Sequence, residues 1–166
     1  MAWEISQTGS LLTGMACNMY NTTSSSELPG SAGPWGIDFG IWGQLIALTK
    51  RKYLAQGMQL PPDTLKGLCI YASAVAAKYY VHRFGYINSQ VVHVTGPADH
   101  YFVVVRASGD KALGICDITC DQFDVAPHFI VGSLKDVKGK AKKVAVKGFS
   151  LYEAYALGME SKTFVM

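Results

Sequence analysis

The distribution of apolar and polar positions divides the chain into an early part with helical periodicity and a later part with strand periodicity. Across 37–56 the apolar residues Ile41, Leu45, Leu48 and Tyr53 recur near helical spacing, which predicts an amphipathic helix. Lys50, Arg51 and Lys52, late in that segment, suit the negative end of a helix dipole, and Gly57 supplies a stop. From 68 to 84 the chain is apolar on several sides, through Ile70, Ala72, Ala74, Val75, Ala76, Tyr79, Tyr80 and Val81. A helix without a polar face has to be covered by the rest of its domain, and small alanines let a sheet approach it closely. Gly85 ends it.

Beyond Gly85 the period changes. Residues 90–95, 100–107, 112–119 and 128–131 are rich in Val, Ile, Phe and Tyr and read as strands. The connectors 96–99 and 108–111 are turn sequences, and Ser108-Gly109-Asp110-Lys111 fits a hairpin. A further strand is expected over 143–147, and a short helix over 150–157 with Glu153 at a capping-box position. Residues 163–166 complete the series as an edge strand. Helices first and an antiparallel sheet second predict an α+β domain, with the buried central helix packed on the sheet. Residues 1–36, rich in Gly, Ser, Thr, Asn and Pro, stand apart as an N-terminal segment, with a short helix over 11–20 and a loop or linker over 22–33. A single domain over 37–166 follows.

Composition narrows the class. Hydrophobic residues make up 49% of the 166 and charged residues 16%, so a compact core is expected and extensive disorder is not. The net charge of +3 requires no nucleic-acid partner. Four unevenly spaced cysteines, Cys17, Cys69, Cys116 and Cys120, do not resemble the framework of a small secreted scaffold, and imply synthesis in a reducing compartment. Cys116 and Cys120 are spaced to open a metal site, but zinc needs two more ligands, and two small semi-buried residues are the plainer reading. No stretch of about twenty residues is free of polar interruption, so no transmembrane helix is expected. Met1-Ala2-Trp3-Glu4 lacks the basic start of a signal peptide, so any export is expected to proceed without a cleaved leader.

The candidate chemistry is carried by three segments. Gly67-Leu68-Cys69-Ile70-Tyr71-Ala72-Ser73-Ala74 sets a cysteine at the start of the central helix, where unpaired N–H groups and the helix dipole favour a thiolate. Gly67 permits a tight turn there and leaves room for a substrate. A cysteine in an apolar helix is ordinarily a small buried hydrophobe, but its place at the helix start changes the balance. Asp99-His100-Tyr101-Phe102-Val103-Val104-Val105 opens a strand with a histidine, and Gly114-Ile115-Cys116-Asp117-Ile118-Thr119 closes the next with an aspartate. Cys69 as nucleophile, His100 as base and Asp117 as the carboxylate orienting the imidazole are the parts of a thiol hydrolase or acyl transferase. Asp117 in so apolar a strand also needs a partner, because an unpaired buried charge is costly. The other histidines fit plainer roles: His82 at a helix C-terminus, His93 on a strand face, and His128 as the weakest rival base. Asp121 and Asp124 read as solvated turn residues, and Asp99 points to the face opposite His100 if the strand has already begun there.

These segments, Gly-x-Cys at a helix start, His-Tyr-Phe-Val-Val-Val, and Cys-Asp-Ile-Thr-Cys-Asp-Gln-Phe, together resemble the papain-like superfamily in its transglutaminase-like and bacterial toxin branches. The resemblance covers roughly residues 65–125. It implies a papain-like fold, with Cys69 attacking a carboxamide or peptide carbonyl and His100 protonating the departing amine or ammonia. Water or an acceptor amine then releases the thioester, and no metal or organic cofactor is required. The Cys69 N–H would stabilise the oxyanion with a second donor, for which Gln44 and Gln59 are both candidates. The implied activity is protein glutamine deamidation or limited proteolysis by a bacterial effector or toxin, with peptidoglycan amide cleavage close behind and a catalytically inactive binding module as the alternative. Such a protein is made in the bacterial cytoplasm and delivered outward. Lys135, Lys138, Lys140, Lys142, Lys143 and Lys147 cluster in one segment, read as a solvated loop and an edge strand protected by lysine. The sharper reading of the lysines is an acidic partner, such as a cognate immunity or inhibitor protein.

Overall fold

The computed structural model describes residues 3–5, 36–60, 65–85, 89–107, 111–123, 128–142, 145–146 and 148–161. The helices and strands are α1 (Phe39–Ala55), α2 (Cys69–Phe84), α3 (Leu134–Ala141), α4 (Leu151–Glu160), β1 (Glu4–Ile5), β2 (Gln90–Thr95), β3 (His100–Arg106), β4 (Ala112–Asp117), β5 (Ile130–Gly132), β6 (Ala145–Val146) and β7 (Phe149–Ser150). Strands β1 to β5 form an antiparallel sheet in sequence order, and β6 pairs with β7 in a separate two-stranded ribbon. The architecture is α+β.

Alternation along the strands sorts the side chains onto two faces. Val103 and Val105 of β3 and Cys116 of β4 pack with Ile41 and Leu45 of α1 and with Leu68, Ala72 and Val75 at and within α2. Phe102 and Val104 of β3 and Ile115 of β4 face the other way, onto Val137 of α3 and Leu151, Ala154 and Tyr155 of α4. The sheet therefore lies between two helical layers. The absence of a polar face on α2 has its explanation here: Ala72, Val75, Ala76 and Tyr80 are all buried. Helix α1 begins with Asp38, whose side chain accepts from the Ile41 N–H at 2.9 Å, and α2 ends on Gly85 in the left-handed region.

Three sequence expectations change. The lysine-rich segment is a helix where a solvated loop was expected: Ser133 and Asp136 form a reciprocal capping box, and Val137 and Ala141, four apart, bury one side. Lys135, Lys138, Lys140 and Lys142 are exposed on it, with Lys138 lying 6.0 Å over the Tyr152 ring. Of the strand expected over 143–147, the described residues Ala145 and Val146 are in a strand. The helix after it runs from Leu151 to Glu160, and its N-cap Ser150 makes no side-chain capping bond, so the Glu153 capping box does not form. At the N-terminus Glu4 and Ile5 pair with Thr95 and Val94, and Trp3 is buried beside Val94, so the start of the chain joins the sheet. The expected helix over 11–20, loop over 22–33 and strand over 163–166 lie outside the described residues. No described helix is long and apolar enough to cross a membrane.

Two glycines make opposite predictions. A Cβ at Gly114 would collide with the Gly132 carbonyl of the neighbouring strand, whereas one at Gly139 on α3 meets nothing within 4 Å. Gly114→Ala is expected to destabilise the fold by about 2–3 kcal/mol through overpacking, and Gly139→Ala to stabilise it by roughly 1 kcal/mol through helix propensity. Urea unfolding midpoints check both signs.

Candidate active site

The turn before α2 sets up its first residue. Leu68 N–H donates to the Leu65 carbonyl at 3.0 Å, and Gly67 takes φ 82°, a conformation that side chains other than glycine's resist. Among the described residues, chain neighbours aside, no atom lies within 4 Å of where a Gly67 Cβ would be. Leu68 occupies the N-cap and cannot cap with its side chain. The Ala72 N–H is the donor that reaches back to the Leu68 carbonyl, at 2.9 Å. The N–H groups of Cys69, Ile70 and Tyr71 thus have no acceptor within the helix, and the positive end of the dipole falls on the Cys69 thiol.

His100 and Asp117 come from the opposite ends of adjacent antiparallel strands. Val104 pairs with Ile115, and stepping two residues at a time from that pair brings His100 and Asp117 onto one face of the sheet. Both are buried, and the His100 Nε2 lies 2.6 Å from Asp117 Oδ2. Phe123 meets the His100 ring edge-on at 4.7 Å. Three further donors satisfy the carboxylate: Tyr155 Oη donates to Oδ2 at 2.6 Å, while Thr119 donates to Oδ1 through its N–H at 3.0 Å and its hydroxyl at 3.3 Å. These donors, with His100, replace the water that the buried carboxylate has lost.

Burial opposes charge on His100, but the Asp117 charge and hydrogen bond, joined by a hydrogen bond and charge interaction with Cys69, overcome it and lift the imidazole from its ordinary 6.5 to about 9. The structure thus brings Cys69, His100 and Asp117 together. Since Nε2 is committed to Asp117, Nδ1 is the nitrogen left to exchange a proton with the thiol. Cys69 belongs to the helical layer on one face of the sheet and Tyr155 to the layer on the other, and they converge at the His100 end of β3.

The remaining candidates lie elsewhere or differ in character. Gln44, on α1, and Gln59, beyond its end, are exposed, and among the described residues neither hydrogen-bonds to Cys69 or His100. The amide that reaches the site is that of Gln122, whose nitrogen lies 3.1 Å from His100 Nδ1. Asp121 is not a solvated turn residue. Its side chain is largely covered, pairs with His128 at 3.3 Å, and has its pKa pushed up by burial. His128 lies against Trp42, with ring centres 4.9 Å apart, and the Trp42 indole N–H donates to the Ile118 carbonyl at 2.9 Å. His93 stacks on Tyr101 at 4.1 Å, and burial lowers its pKa despite Asp99 nearby. His82 is exposed near the end of α2. Burial pushes the Cys116 thiol up to about 12 and Cys120 higher still, which keeps both protonated and unreactive. Cys17 and Asp124 lie outside the described residues, and among the described residues no group of three or more His, Cys, Asp or Glu is placed to hold a metal ion.

Thr119, Gln122 and Tyr155 were not singled out from the sequence. Thr119 had a local signal, standing two residues after a buried aspartate where its N–H and hydroxyl can close a turn on the carboxylate. Gln122 had a weaker one, three residues after Thr119 in a short 3₁₀ turn (Cys120–Phe123). Tyr155, 38 positions from Asp117, had none. In comparisons with known proteins, the chain matches no family model, no curated protein and no solved structure.

Two outcomes follow from the carboxylate. Tyr155→Phe removes one donor from a buried charge and is expected to cost about 1–3 kcal/mol, read from urea unfolding at neutral pH. Because folding raises the His100 pKa, its contribution to stability is full below about pH 6.5 and drains away as pH climbs through about 9. Asp117→Asn removes the charge responsible, so its stability should be lower near pH 6 and decline less between pH 6.5 and about 9.5 than that of the wild type.

Proposed function

We propose that this chain is a cysteine-dependent amide hydrolase or acyl transferase with a papain-like Cys-His-Asp arrangement. The observation that carries the reading is a thiol at an uncapped helix N-terminus beside a buried imidazole whose far nitrogen is held by a buried carboxylate. Each part has a chemical task. Asp117, fixed by Thr119 and Tyr155, holds the ring so that Nδ1 faces the thiol. The Cys69 proton passes to Nδ1, Sγ bonds to the carbonyl carbon, and the carbonyl electron pair moves to oxygen. The free N–H groups at the start of α2 are suited to receive that oxyanion. His100 then protonates the departing nitrogen as the carbon–nitrogen bond breaks, and water or an amine displaces the thioester with His100 again as base.

The substrate class proposed is the carboxamide of a protein glutamine or a peptide bond, in the setting of a bacterial effector or toxin. The exposed lysines of α3 are suited to an acidic partner, such as an inhibitor protein.

Iodoacetamide labelling at slightly acidic pH, with the modified cysteine mapped by mass spectrometry, tests the reading. Cys69 is expected to label first, with Cys116 and Cys120 protected, and His100→Ala to slow Cys69 labelling by roughly tenfold or more. Slow and equal labelling of all cysteines, unaffected by His100→Ala, would overturn it.

A further inference from the structure

The two oxygens of Asp117 have unequal work. Oδ1 accepts from the Thr119 N–H at 3.0 Å and from its hydroxyl at 3.3 Å, both in the turn that follows β4. Oδ2 lies 2.6 Å from His100 Nε2 and 2.6 Å from Tyr155 Oη, so imidazole and phenol meet on one oxygen. Close packing carries the phenol there from the far helical layer. A Cβ at Gly158 would come within 2.6 Å of the Phe102 ring, so α4 lies tight on β3, and Phe102 meets the Tyr155 ring edge-on at 5.1 Å. Tyr155 is fully buried, and burial together with the Asp117 charge pushes its pKa well above the ordinary 10. It therefore remains a donor while His100 titrates.

We propose that Tyr155 is a positioning residue that tunes His100, its hydroxyl sharing Asp117 Oδ2 with the imidazole and so loosening the ring's hold on its proton. The proposal rests on the cysteine-enzyme reading. The two Thr119 donors hold the carboxylate by its other oxygen, which leaves the Tyr155 hydroxyl an electrostatic task. A donor on Oδ2 draws negative charge toward itself, and the imidazolium is left with a weaker partner. The proposed chemistry has use for that. His100 takes the Cys69 proton and must then surrender it to the departing nitrogen, which keeps the electron pair of the breaking carbon–nitrogen bond. A base whose proton affinity lies far above the working pH accepts readily and gives back slowly. Among the described residues, the ionisable groups acting on the ring are Asp117 from β4, with Tyr155 of α4 bonded to it, Cys69 from α2, and His93 from β2 as a like charge. Of these, Tyr155 alone acts through the oxygen that the ring uses.

The sign of one shift separates tuning from mere support. The pH at which His100 releases its proton can be followed by NMR of isotope-labelled histidine rings, assigned by the resonance lost in His100→Ala. In Tyr155→Phe that pH is expected to rise, with the proton held about three- to tenfold more tightly. Were the phenol only a brace, its loss would let the carboxylate drift from the ring, and His100 would fall back toward 6.5. A ring-fluorinated tyrosine in place of Tyr155, a stronger donor of nearly the same shape, is expected to move the pH down, and decides the matter if Phe disturbs the fold. A fall or no change with Phe, or a rise or no change with the fluorinated ring, overturns the tuning role. Iodoacetamide labelling keeps the two failures apart. If wild-type Cys69 reacts no faster than Cys116 and Cys120, the cysteine-enzyme reading fails and the proposal with it. If Cys69 labelling depends on His100 but the His100 proton ignores Tyr155, the tuning role alone is removed.

Discussion

The buried carboxylate of Asp117 is the constraint around which the rest of the site is arranged. A charge this far from water is tolerated only when donors replace its hydration, and removing any one of them leaves it less compensated. The donors come from three places: His100 at the start of β3, Thr119 in the turn that follows β4, and Tyr155 on α4. Meeting that requirement fixes the end of β4, the tautomer and pose of the imidazole, and the docking of the last described helix. Orientation of the base and closure of the fold are one event, so the site cannot loosen without leaving a charge unpaired.

The helix ends show a second division between stability and chemistry. Helix α1 is capped by Asp38 and α3 by Ser133, each through a side chain that accepts from the first turn. Helix α2, apolar over most of its length, starts on Leu68 with no such bond. Omitting a polar cap costs about 1 kcal/mol, and the packing of Ala72, Val75 and Tyr80 against the sheet is enough to hold the helix without it. What the omission leaves is a cluster of backbone donors and a positive dipole end at Cys69. A side-chain cap there would satisfy those donors.

Legibility of these features from sequence follows the range of the interaction. The helices over 37–56 and 68–84 and the central strands were readable because periodicity is local and the turns between them carry glycine, proline or aspartate. Cys69, His100 and Asp117 were readable because each stands at an element boundary next to such a turn. The helix Leu134–Ala141 was obscured by its lysines, although Ser133 and Asp136 spell a capping box and Val137 and Ala141 share a face. The second oxyanion donor was sought upstream of the cysteine, at Gln44 and Gln59, while the amide beside the base comes from Gln122. Its contact depends on a 3₁₀ turn folding back over the end of β3, which no local pattern announces. Tyr155 is the extreme case, because only the stacking of α4 on the sheet brings it to Asp117.

Exposure alone does not single out one cysteine. Cys69, Cys116 and Cys120 are all buried, at 8%, 1% and 0% exposure. What differs is the chemistry at each sulfur. Cys116 stands in a strand whose backbone groups are already paired, next in sequence to Asp117, and both the loss of solvent and the neighbouring carboxylate favour its proton. Cys120 has the same two influences with Asp121 added. Cys69 instead has the His100 imidazole in hydrogen-bonding reach and stands at a helix start with no side-chain cap. One carboxylate therefore meets two thiols differently: it opposes ionisation of Cys116 directly, whereas an imidazole stands between it and Cys69. Placing a base between the carboxylate and only one of three buried sulfurs is what makes that sulfur different, and the antiparallel pairing of β3 with β4 is what places it.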